Sequence, residues 1–117
     1  MSEGEILEKA IQKAIEGGWL ADRVPKTVSK IQIILIENNV ISVKWTSLGD
    51  YLFTSEHVSV FNHDFAIALW GERVYVDVGY RDVNKAWQTT DNVPKWQYHL
   101  QQMVIANDPI KYLGENI

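Results

Sequence analysis

The chain has 117 residues, of which 46% are hydrophobic and 22% charged, with no cysteine and a formal net charge of -4. This length and composition suit one globular domain, residues 1–117, folding alone or as a small homo-oligomer, and they exclude disordered and fibrous classes. The absence of cysteine removes disulfides, thiolate catalysis and Cys-based zinc sites. The negative charge and scattered lysines and arginines disfavour binding to a phosphate backbone.

The opening "SEGEILEKAIQKAIEGGW" predicts a helix. Ser2 and Glu5 have capping-box spacing, and Leu7, Ala10, Ile11, Ala14 and Ile15 share one face. Gly17-Gly18 supplies a left-handed stop, with Trp19 as the apolar residue that follows it. The stretch "LADRVPKTVSK", with Pro25, reads as a loop. "KIQIILIENNVISVKW" then predicts a hairpin around Asn38-Asn39, a pair that tolerates positive φ. A two-residue turn sets Ile36 opposite Ile41, Ile34 opposite Val43 and Gln32 opposite Trp45. A bulge would slip this register by one. The first strand is apolar on both faces, which predicts a central position in the sheet.

Gly49-Asp50 marks a turn, and the alternation of Val58 and Val60 with His57, Ser59 and Phe61 predicts a third strand. "FNHDFAIALWGE" predicts a largely buried helix with Asn62 as N-cap, Asp64 in the first turn and Gly71 at its end. Val74, Val76 and Val78 predict a fourth strand. Residues 79–91 read as a polar loop carrying Trp87. Asn92 is the expected cap of a final helix with Pro94 in its first turn and Trp96, Leu100, Met103 and Val104 as its stripe. After the break at Pro109, one short turn lays Ile110 and Leu113 on the core. The expected fold is α+β: an antiparallel sheet of three to four strands, in the order α-β-β-β-α-β-α, with N-terminal, central and C-terminal helices packed on it.

Few residues suggest chemistry. His63, Asp64 and His99 are the catalytic candidates, in the manner of metal-dependent hydrolases, with His57 as a further ligand to consider. Neighbouring His63 and Asp64 point roughly 100° apart on a helix, and capping and packing explain both; no metal site or cofactor is assigned. Common phosphate-binding, dinucleotide-binding, serine-hydrolase and zincin motifs are absent. Asp50, Glu56, Asp77 and Asp82 show no recognisable spacing. Trp19, Trp87 and Tyr98 are the candidates for an interaction surface, because such residues dominate interface hot spots. The first residues are acidic and amphipathic, and the longest apolar run, "IILI", is too short to span a bilayer. A cytoplasmic location and no membrane partner are expected.

Three segments, "EKAIQKAIEGGW", "HDFAIALWGE" and "WQYHLQQMVIANDPIKYLGENI", together resemble a type of short, uncharacterised protein encoded by bacteriophages and prophages. The middle of the chain, residues 24–60, departs from that pattern. The resemblance implies a phage or prophage origin and a host-cell location, and it carries no catalytic residue. With the motif inventory, it leads to the expectation of a non-enzymatic accessory protein that binds a host or phage protein. The alternatives are the metal-dependent hydrolase and, third, a nucleic-acid-binding protein.

Overall fold

The computed structural model describes residues 1–20, 24–49, 53–81, 83–84 and 86–117. Its elements run α1 (Glu3–Glu16), β1 (Val28–Glu37), β2 (Val40–Leu48), β3 (Thr54–Phe61), α2 (His63–Trp70), β4 (Tyr75–Arg81), β5 (Trp87–Pro94), α3 (Lys95–Ala106) and α4 (Pro109–Asn116). The class is α+β. The strands form two antiparallel sheets, β1-β2-β3 and β4-β5.

Local chemistry sets the helix ends. Ser2 Oγ accepts from Glu5 N at the start of α1. At its end Gly18 N donates to Ile15 O and Trp19 N to Ala14 O, the paired bonds of a Schellman stop. Gly18 takes φ 103° there. Asn62 Oδ1 accepts from Phe65 N to begin α2, which Gly71 ends at φ 80°. Asp108 caps α4 through Lys111 N. Helix α4 is longer than the single turn expected, and it buries Ile110 and Leu113.

The hairpin turn holds Asn38 and Asn39 at φ 50° and 61°, and Ile36 faces Ile41. Beyond Leu35 the register shifts, so Val43 faces Ile33 and Trp45 faces Ile31 rather than Ile34 and Gln32. Ile34 is the extra residue and is largely exposed. Strand β2, not β1, is central: its alternation buries Ile41, Val43, Trp45 and Ser47 on one face, whereas β1, apolar on both sides, is an edge. The buried face of β3 carries Ser59 and Phe61, so Val58 and Val60 look outward. The turn expected at Gly49-Asp50 lies partly outside the described residues, although Gly49 N donates to Phe53 O.

The expected fourth strand does not extend this sheet. It pairs with β5, which covers much of the stretch read as a loop. Asn92 lies in β5 opposite Asp77 instead of capping a helix, and α3 starts at Lys95 after Pro94 without a side-chain cap. Lys95 N instead donates to Val74 O.

Helices α1, α2, α3 and α4 share one core with the inner face of β1-β2-β3, centred on Leu7, Ile11, Val43, Phe61, Phe65, Met103 and Leu113. The β4-β5 ribbon touches α3 at its base, and every residue of β5 from Trp87 to Asn92 is exposed. The molecule is therefore long, 60 × 27 × 25 Å, with a radius of gyration of 16.0 Å, against roughly 13 Å for a compact chain of this length. No helix is long and apolar enough to cross a membrane among the described residues.

Candidate functional site

The first turn of α2 places His63 and Asp64 side by side, with Nδ1 and Oδ1 3.3 Å apart and both side chains largely exposed. His63 also meets the Trp96 ring edge-on at 4.3 Å. His99 belongs to a different environment. It is buried in α3, stacks on Trp70 at 4.5 Å, and its Nδ1 lies 2.8 Å from the Tyr112 hydroxyl. Burial first, and the Lys95 charge second, push its pKa down to about 4. Burial also pushes the Tyr112 phenol up to about 12, helped by Tyr98 and Glu115. His99 is thus a neutral core group bonded to a neutral phenol. Among the described residues no three His, Asp or Glu side chains are grouped to hold a metal ion. One His-Asp pair does not supply the converging ligand set such an ion requires.

The interaction candidates fall in three places. Trp19 is half-buried, edge-on to Phe65 at 5.0 Å, and with Asp64 it lines an open groove of about 390 Å³ between the end of α1 and α2. Tyr98 is half-buried against His99. Trp87 is 70% exposed at the start of β5. Its ring lies over Gly79, where an added Cβ would come within 3.1 Å of Trp87 Cε3. Tyr75 and Tyr80 are also exposed on this ribbon. Of the four acids singled out in the sequence, Asp50 and Asp82 lie outside the described residues. Glu56 pairs with Lys44 at 3.3 Å, and Asp77 stands in β4.

One polar cluster has no motif to announce it. Inner-face alternation on β2 and β3 brings Trp45, Ser47, His57 and Ser59 together: Trp45 Nε1 donates to Ser59 Oγ at 3.0 Å, and Ser47 Oγ is 2.9 Å from His57 Nε2. His57 stacks on Trp45 at 4.3 Å. The signal was the period of two in both strands, which puts residues at i and i+2 on one face. A serine hydroxyl at this distance from an imidazole can be activated as a nucleophile when a third group orients the ring. Among the described residues no carboxylate bonds the other ring nitrogen. The adjoining pocket, which includes Lys26 and Ser55, holds about 180 Å³, less than the several hundred typical of small-molecule sites. The cluster's clearest role is to satisfy the polar atoms of a buried sheet face.

No family model, curated protein or solved structure matches the chain.

Proposed function

We propose that this chain is a non-enzymatic protein-binding module, an accessory protein of a bacteriophage or prophage that engages a host or phage protein in the host cytoplasm. One observation carries the binding reading: the β4-β5 ribbon stands outside the shared core with Tyr75, Tyr80 and Trp87 exposed by 63%, 54% and 70%. Large aromatic side chains cost stability in water and repay it when a partner covers them, and Tyr and Trp are enriched among interface hot spots. The phage origin rests on the sequence resemblance alone.

The test is retention of proteins from a host lysate by the full chain and by variants. Wild type should retain a specific partner, and Val58→Ala, on the outer face of the other sheet, should retain it equally. Trp87→Ala should weaken purified-partner binding by about 2 kcal/mol, roughly 30-fold. Equal retention by wild type and Trp87→Ala, or no specific retention at all, would refute the reading.

A further inference from the structure

We infer that the outer edge of β4 pairs antiparallel with β4 of a second copy of this chain, about a two-fold axis at Val78. This inference rests on the backbone edge of the ribbon and stands independently of a partner bound through its aromatic faces.

An isolated two-stranded ribbon is marginal in water; a third strand or a packed helix is needed for independent stability. Here the helix support reaches only the base, and among the described residues no third strand joins the sheet at either edge. The two edges are not equivalent. On β5 a register irregularity falls at Thr90, Pro94 has no N–H to give, and the Asn92 N–H already donates to Asp91 Oδ1. Strand β4 runs through "YVDVGYR", rich in the aromatic and β-branched residues that suit sheets.

Two bonds fix which groups β4 presents. Lys95 N donates to Val74 O and Thr90 Oγ1 donates to Val78 O, so even-numbered residues turn their backbone groups toward β5. By alternation Tyr75, Asp77, Gly79 and Arg81 present theirs to the outer edge. Two-fold antiparallel pairing must match outward residues with outward residues, which places the axis on a residue and not between two.

An axis on Asp77 would set two carboxylates opposite each other, which destabilises a sheet. An axis on Gly79 would leave Tyr75 and Val76 beyond the end of the copy's strand. The Val78 axis pairs the whole of β4: Tyr75 with Arg81 of the second copy, Val76 with Tyr80, and Asp77 with Gly79. It also leaves the two Asp77 side chains, each opposite a Gly79, diagonal to each other and not directly opposed. Edges on the larger sheet have less need of a partner. That sheet has three strands and a face packed by helices, and β1 is broken by two register irregularities.

Sedimentation or light scattering over a concentration series tests this directly. Wild type should reach twice the 13.4 kDa chain mass. Asp77→Pro removes an outward N–H without touching the β4-β5 bonds, and it should remain at the single-chain mass with an unchanged helix signal. Because the chain has no cysteine, Val78→Cys offers a second readout. Directly opposed residues at such a non-hydrogen-bonded position lie about 4.5 Å apart, within disulfide range. Oxidised Val78→Cys should run as a linked dimer, whereas Tyr80→Cys, which faces Val76 of the copy, should not. A single-chain mass at every concentration would overturn the inference, as would equal cross-linking of the two cysteine variants. Either result would leave partner capture through Trp87 untouched, so the two readings fail separately.

Discussion

His99 sits between the Trp70 ring and the Tyr112 hydroxyl, and its burial makes it a determinant of pH stability. Its folded pKa of about 4 lies below the ordinary 6.5. The unfolded chain therefore binds a proton first as the solution is acidified. Its contribution is complete above about pH 6.5 and is lost as pH falls toward 4, on the order of 2 kcal/mol. Tyr112 has the opposite sign of shift: raised from 10.0 to about 12, it contributes below pH 10 and loses that contribution as pH rises toward 12. Urea midpoints across pH should show both limbs. Tyr112→Phe should abolish the alkaline limb, keep the acid one and cost about 1–3 kcal/mol at neutral pH, because it strands the buried His99 Nδ1. A flat profile between pH 4 and 6.5 would contradict the burial argument. The stripe of α3 placed His99 near the core, but its bond to Tyr112 joins two helices across a break at Pro109 and has no sequence signature.

Among the elements, most of those governed by local chemistry were legible, the exception being the cap expected at Asn92, which pairs in β5 instead. The Ser2 cap, the Gly17-Gly18-Trp19 stop, the Asn38-Asn39 turn and the Asn62 cap each depend on a few adjacent residues, and all stand as expected. Less legible were features set by distant partners. The irregularity that leaves Ile34 outside leaves no mark in an unbroken apolar run. Strand β5 has no apolar alternation because neither face of it is buried over Trp87–Asn92, and alternation records burial on one face. The two glycines that stop α1 also turn out to serve separate purposes. Gly18 is there for its φ of 103°, with open space around it, whereas a Cβ on Gly17 would fall 2.0 Å from Ala68 O of α2. Gly18→Ala should cost about 1 kcal/mol, the penalty of a left-handed L-residue, and Gly18→Asn should recover much of it. Gly17→Ala should cost about 2–3 kcal/mol by forcing two helices apart, and Gly17→Asn should give no relief. Thermal unfolding of the four variants separates conformational strain from steric exclusion; equal losses at both sites would refute the distinction.

At the scale of the whole molecule, stability should be divided unevenly along the 60 Å axis. Strand β2 is bonded on both sides and its inner side chains are fully or almost fully buried at Ile41, Val43 and Trp45, so its amides should exchange only when the whole core opens. The β4-β5 ribbon has few buried apolar contacts of its own, the condition under which a segment opens locally at a free energy below the global value. Amides of Val76, Val78 and Tyr80, which face β5, should therefore exchange faster than those of Val43 and Trp45 and show a weaker dependence on denaturant. Trp87→Ala, which strips the ring from over Gly79, should speed the ribbon further and leave β2 unchanged. Self-pairing adds a signature of its own. The outward amides of Asp77 and Gly79 should gain protection as protein concentration rises, while the β2 amides should not respond. Matching exchange rates and denaturant slopes for ribbon and core would mean that the molecule opens as one unit, and the exposed ribbon would then need a source of stability that its own contacts do not provide.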